Sequence, residues 1–183
     1  MKELKNITFT PSQTEHSSFW KKEKETSLTA FKKMGFPTQD NESWKYFNTN
    51  RLLDLSLMTE NQSMNTEHSS VFTPFVTAHY QFDGSQFNEI TPSSGIKSKK
   101  LSQLDENEIK LLLSFNNQGS FQDNPFNLLN QAQFQEGLYL EISNNEDNIV
   151  LLDIEGACKE NMLINPKVMI NTLENGKLTL IIS

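Results

Sequence analysis

The sequence predicts an α+β protein with its helices first and its strands last. Two observations carry this: apolar residues recur at near-helical spacing between Glu15 and Met34, and from Gly137 onward short apolar runs alternate with turn-forming residues. A third, the strand-and-turn signal at Asp83-Gly84, places the change of period near the middle of the chain. At 183 residues there is length for one medium domain or two small ones, and although only 36% of residues are hydrophobic, 13 phenylalanines and a Leu/Ile-rich second half can supply a core.

In chain order, Phe19, Trp20, Leu28, Phe31 and Met34 form the apolar side of the first helix. Gly35 can adopt the left-handed conformation after the last turn and Pro37 cannot continue a helix, so the helix stops there. Thr38 can cap a second short helix whose first turn holds Asp40 and Glu42, with Trp44 and Phe47 on its apolar side. The run from Thr59 to Ser70 lacks large apolar residues and reads as a flexible linker.

Ala78, Tyr80 and Phe82 alternate with polar neighbours, which predicts a strand, then a turn at Asp83-Gly84 and a second strand from Phe87. The run Lys97, Lys99, Lys100 reads as a charged loop. Leu101 to Phe115 returns to helix, with Ser102 and Asp105 at capping-box spacing, Glu106 and Lys110 paired at i and i+4, and Leu104, Ile109, Leu112 and Leu113 apolar. After a polar loop, Asn124-Pro125 starts another helix carrying Phe126, Leu129 and Ala132 on one face. Strands are then expected at Leu138–Ile142, Ile149–Ile154, Met162–Ile164, Val168–Ile170 and Leu178–Ile182, with turns at 144–147, Asn165-Pro166 and Asn175-Gly176. The last strand has neither charge nor proline, so its edge is expected to be unprotected. The expected organisation is a helical subdomain over 1–58, a linker over 59–70, a mixed region over 71–136 and a β-structure over 137–183.

Charge narrows the function. Lys+Arg total 16 against 23 Asp+Glu, a net charge of −7, so nucleic acid and anionic membrane surfaces are poor partners. No stretch is long and apolar enough to span a membrane, and the N-terminus lacks the apolar centre of a secretory signal, so a cytoplasmic location is expected. The lone Cys158 fits a reducing compartment and forbids an internal disulfide.

The residues also argue against catalysis. His16, His68 and His79 show no metal-ligand spacing among themselves or with Cys158. Lys159 could activate the Cys158 thiol, but no catalytic cysteine signature surrounds it. No phosphate-binding glycine motif occurs, and Asp153, Glu155 and Glu160 read as solubilising acids at strand ends. No catalytic, cofactor-binding or metal-binding residue is expected, and the chain is read as a non-enzyme.

One block is more specific. Met34-Gly35-Phe36-Pro37-Thr38 followed by Glu42-Ser43-Trp44-Lys45-Tyr46 resembles the block near the N-terminus of the SufB/SufD family of iron–sulfur cluster assembly proteins, on its SufD side. Tyr80 to Phe87, with Asp83-Gly84 at its turn, Gly95-Ile96 through Leu101, Asn124 to Ala132 with Gly137 to Leu140, and Pro166 to Ile170 are similar to later family passages, in the same order. Gly35, Pro37, Thr38, Trp44, Tyr46, Asp83 and Gly84 are read as structural markers, with Trp44 and Tyr46 as rings that pack a small helix on its neighbours.

The resemblance implies a right-handed parallel β-helix beginning at about residue 137 and a scaffold role beside SufB-like and SufC-like proteins. It also implies that the chain is an N-terminal portion, without the family's later functional positions. The iron–sulfur cluster would be handled by the complex, and no cofactor would be bound by this chain. An isolated chain of this kind is expected to self-associate or to depend on a partner that continues its sheet. The alternatives are a stand-alone interaction module using an exposed β-edge and a thiol enzyme using Cys158.

Overall fold

The computed structural model describes residues 7–8, 17–38, 44–46, 57–58, 73–116, 124–143, 145–154 and 163–183. Helix α1 spans Ser18–Met34. Strands β1 (Ile7–Thr8) and β2 (Leu57–Met58) form a short parallel pair. Then come β3 (Ala78–Phe82), β4 (Phe87–Thr91), β5 (Ile96–Lys100), helix α2 (Glu106–Asn116) and helix α3 (Pro125–Gln133). The chain closes with β6 (Gly137–Ile142), β7 (Asp147–Ile154), β8 (Lys167–Thr172) and β9 (Lys177–Ile182). The architecture is mixed α+β, and among the described residues no helix is long and apolar enough to cross a membrane.

Local chemistry explains where the helices begin and end. At the start of α1 the Ser17 hydroxyl accepts from the Trp20 N–H. At its end Gly35 has φ +70°, a conformation that favours glycine, and its N–H donates to the Phe31 carbonyl at 2.7 Å. The Asn124 side chain caps α3 by accepting from the Phe126 N–H at 2.9 Å, with Pro125 in the first turn, as the sequence predicts. For α2 the cap differs from the expectation. The capping pair is Asp105 with Glu108: Asp105 Oδ1 accepts from the Asn107 and Glu108 N–H groups, and Glu108 Oε2 accepts from the Asp105 N–H. Ser102 instead donates its hydroxyl to Glu136 at 2.6 Å, from a 3-10 turn at Leu101–Gln103 that separates it from the helix.

The seven longer strands form two sheets, one ordered β4-β3-β7-β9 and the other β5-β6-β8. In each, the earliest pairing is antiparallel (β3 with β4, β5 with β6) and the later ones are parallel. Gly137 faces Lys167 in one ladder and Asp147 faces Lys177 in the other, so both repeat at a spacing of 30 residues. The inward positions of the two sheets meet in one apolar core: Tyr80, Phe82, Leu140, Ile142, Val150 and Leu152 are buried there, with Val168, Ile170 and Leu178 packed at its side. The outer face of the three-stranded sheet is covered by helices, with Trp20, Ile109, Leu112 and Leu113 lying over Tyr139 and Met169. A third cluster, Phe31, Phe36, Leu128 and Leu129, joins α1 to α3.

Two expectations are corrected. The lysine run after Gly95 is not a loop but strand β5: Ile96 turns into the core while Lys97 and Lys99 point out, to Glu141 at 2.7 Å and Glu108 at 2.6 Å. Cross-strand pairing of opposite charges makes a lysine-rich strand stable. Leu163 and Ile164 are not in a strand; they lie in irregular chain leading into Asn165-Pro166, where proline has no N–H for a ladder, although Ile164 still packs on the core. The helix expected after Thr38 falls largely outside the described residues, as do 51–55, the linker at 59–70, His16, His68, Glu155, Cys158 and Glu160.

A β-carbon added at Gly137 would lie 2.3 Å from Leu101 Cδ1 and 2.9 Å from the Lys167 carbonyl oxygen, so the strand and the 3-10 turn approach only because that side chain is absent. Gly137→Ala is expected to destabilise the fold by about 1–3 kcal/mol, the usual range for overpacking. The measurement is the midpoint of urea unfolding; an unchanged midpoint would show that the turn yields freely.

Candidate functional site

The residues singled out by the sequence block divide into two places. Gly35 and Pro37 are buried at the end of α1, and Thr38 is exposed. Phe36 of the same block packs on Phe31 and Phe126, and Trp44 packs on Phe126 at 5.3 Å between ring centroids, so this part of the block anchors α3 to the end of α1. Tyr46 departs from its expected packing role. It is 94% exposed, and its ring meets only the Lys45 ammonium among the contacts of the described residues. Asp83 and Gly84 sit at the β3–β4 turn, far along the chain from that anchor, and Gly84 has φ +95°.

The Asp83 carboxylate organises its turn. Burial would raise its pKa, but the Gln86 and Ser85 N–H groups, the Asn88 amide and the Ser85 hydroxyl all donate to it and hold it below its ordinary value. This is a self-satisfied Asx-type turn whose donors are local.

A pair that sequence reasoning missed lies on the outer face of the four-stranded sheet. His79 Nε2 is 2.7 Å from Asp153 Oδ2, with side chains only 4% and 9% exposed. The pair ties β3 to the parallel neighbour β7, and His79 Nδ1 is buried without a hydrogen-bond partner. Asp153 is therefore not a solubilising acid, and His79 is buried beside it. The signal was in the sequence: an acid inside the run Ile149-Val150-Leu151-Leu152-Asp153-Ile154 sits where a strand buried on both faces leaves no route to water.

A second polar cluster lies where α1, the α3–β6 connection and β8 meet. The Lys24 ammonium donates to the Phe134 carbonyl and lies 4.0 Å from the centre of the Phe134 ring. The Lys167 ammonium lies 5.6 Å from the same ring. Glu136 is buried beside them, accepting from the Ser102 N–H and hydroxyl and from the Gly137 N–H. Desolvation lowers both lysines to about 8; for Lys24 the Glu136 charge works against it and the Lys167 charge adds to it.

The two ends of the paired sheets differ in a way that bears on binding. At the β4/β5 end the edge strand β5 carries Lys97, Lys99 and Lys100, the charged edge that discourages pairing with another chain. At the β8/β9 end the inward apolar positions come to the surface. In the register Tyr80–Leu152–Ile182 the exposure runs from 1% through 1% to 64%, and in Ala78–Val150–Leu180 it ends at 38%. No charge lies between Leu178 and Ser183. Among the described residues no further strand lies beside β8 or β9, so these edges are the candidate interface, and Lys167 is the first residue of one of them.

Among the described residues no group of three or more His, Cys, Asp or Glu side chains is placed to hold a metal ion.

His79→Leu is expected to cost about 3–5 kcal/mol by leaving Asp153 buried without its partner, and replacing both residues with leucine is expected to recover most of that. Urea denaturation of His79→Leu, Asp153→Leu and the double leucine variant measures the cycle; losses under about 1 kcal/mol in the single variants would refute the importance of the pair. The lysines predict a pH dependence. Their pKa values fall from 10.5 unfolded to about 8 folded, so between those values the unfolded chain binds more protons and stability rises with pH. Unfolding midpoints measured from pH 7.5 to 9.5 are expected to rise, and to rise less in Lys167→Met. Equal slopes in both proteins would remove Lys167 as a source.

No protein-family model matches the chain, and a search of curated proteins found no relative.

Proposed function

We propose that this chain is a scaffold component of the SufD kind, a structural partner in iron–sulfur cluster assembly whose paired sheets are the opening coils of a right-handed parallel β-helix. The observation that carries the reading is the common 30-residue repeat of its two ladders, β6 with β8 and β7 with β9, each coil supplying one strand to each sheet. The sequence block around Gly35, Pro37 and Trp44, which anchors the helical layer, supports it. In this reading β3, β4 and β5 close one end of the coil stack, and the open edges of β8 and β9 receive what continues it. The chain acts by holding partners in place in the cytoplasm, with SufB-like and SufC-like proteins as partners and the cluster as cargo of the complex.

A second reading, an interaction module working outside cluster assembly, is favoured by the exposure of Leu180 and Ile182 alone, since an apolar edge accepts any strand of suitable register.

Co-expression of the full chain with the SufB-like and SufC-like proteins of the same genome tests the first reading. A complex that survives size exclusion is expected, and it is expected to be lost on Leu180→Lys with Ile182→Lys. Those positions are exposed, so circular dichroism and the unfolding midpoint are expected to stay within about 0.5 kcal/mol of the parent. Absence of a complex with the parent chain refutes the SufD-like reading, and a complex untouched by the edge substitutions refutes the role of the edge.

A further inference from the structure

The turn between β8 and β9 fixes two adjacent residues for separate reasons. The Gly176 N–H donates to the Leu173 carbonyl at 2.8 Å and the Leu173 N–H donates to the Ile142 carbonyl at 2.9 Å, so the turn is pinned to the end of β6. Within it Asn175 has φ +66° while Glu174 stays out of the left-handed region, which is the type II arrangement. The third position of such a turn favours glycine or asparagine. Position 176 needs glycine on other grounds: a β-carbon there would lie 2.7 Å from the Ile142 carbonyl oxygen. The two requirements together place Asn-Gly at an exposed turn, and Asn175 is the one asparagine in the sequence that precedes glycine.

We propose that Asn175 is a site of self-modification to aspartate and isoaspartate, gated by the same turn that calls for it. The Gly176 amide nitrogen gives its proton to hydroxide and attacks the Asn175 Cγ, forming an N–C bond. The Cγ–Nδ2 bond breaks with its electron pair, and Nδ2 takes a proton from water and leaves as ammonia. Water then opens the cyclic imide: breaking the ring bond to Cγ gives aspartate, and breaking the ring bond to the backbone carbonyl gives isoaspartate. The sum is amide plus water to acid plus ammonia, with nothing oxidised or reduced and no co-reactant besides water. A side chain on the following residue crowds the attacking nitrogen, and glycine leaves it open.

The closed turn works against the reaction. The third residue of a type II turn has ψ of about 0°, which holds the next nitrogen near that residue's own nitrogen, whereas closing the imide needs it eclipsed with Cβ. The Gly176 N–H is also engaged with the Leu173 carbonyl. Attack therefore waits for the turn to open, and β9, with β7 as its one neighbour among the described strands, is the strand whose fraying opens it. Either product adds a carboxylate beside Glu174, and isoaspartate also lengthens the main chain by a methylene just before Lys177, the first residue of β9. The close approach of Gly176 to Ile142 leaves no room for that extra atom, so the start of β9 must shift. An opening of the turn is thereby made permanent, as a β8–β9 connection that no longer closes in register. The inference does not depend on the scaffold reading.

The test is ageing of the full chain in one warm, mildly alkaline buffer, folded and in guanidinium chloride. Each asparagine is followed by peptide mass spectrometry, with the two acid products separated by chromatography. In denaturant Asn175 is expected to convert at least about tenfold faster than Asn107, an exposed asparagine followed by Glu108. In the folded chain the Asn175 rate is expected to fall at least about tenfold. Chain aged in denaturant and then refolded is expected to show a lower urea midpoint than unaged chain. Asn175→Gly, in which glycine accepts the left-handed conformation freely, is expected to keep its midpoint through the same treatment. Parity of Asn175 with Asn107 in denaturant, equal Asn175 rates in folded and unfolded chain, an unchanged midpoint in the aged parent, or an equal loss in Asn175→Gly overturns the proposal.

Discussion

The structure depends on one geometric constraint, the in-register parallel pairing that brings every second residue of β6 through β9 to the same side. Side chains alternate along a strand with a period of two, so a slip of one residue would carry Leu140, Ile142, Val150 and Leu152 out of the core and bring Tyr139, Leu151 and Asp153 into it. Neither face of the sheets tolerates that exchange. Tyr139 belongs under the helices with Trp20 and Met169, and Asp153 needs His79. The inner core, the helical layer and the buried His79–Asp153 pair therefore specify the same register from three directions, an agreement among local choices that favours a single folded arrangement.

Trp20 shows how the helical layer is tied to that register. Its indole N–H donates to the Leu101 carbonyl at 3.0 Å, and its ring meets Phe134 edge-on at 5.4 Å. Leu101 in turn fills the space above Gly137, where the backbone of β6 lies closest to the 3-10 turn. A helix near the start of the chain, a turn in its middle and strand β6 thus share one contact, and the outer layer follows the position of the sheet beneath it.

Much of this was legible in the sequence because short-range chemistry decided it. Gly35 and Pro37 end α1, Asn124-Pro125 begins α3, and Asn175, with φ +66°, makes the turn between β8 and β9. The readings that failed involved partners from other elements. Lys97 and Lys99 read as loop residues because their stabilising carboxylates, Glu141 and Glu108, come from other elements. His79 and Asp153 read as an isolated histidine and a surface acid because only the parallel pairing of β3 with β7 brings them together. Lys167 gave no signal at all: its environment is made by Phe134 and by a helix more than a hundred residues earlier. Pairing between strands of remote position is set by tertiary packing, which propensity and periodicity do not register.

The separation of β3 from β7 has a further consequence for how the molecule is made. The Thr77 hydroxyl and the Ile149 backbone that it meets are 72 residues apart, and His79 and Asp153 are 74 apart. At ordinary rates of translation the ribosome needs roughly 4–15 s to add that length. Through that interval β3 can pair only with β4, and its other edge and the imidazole of His79 stand unpartnered in the nascent chain. Closing so long a loop is entropically slow, and contacts of this kind mark slow-folding topologies. The first strand of the core is therefore among the last to be completed, and the nascent chain carries an open strand edge, available to chaperones and to misassembly alike, until β7 arrives.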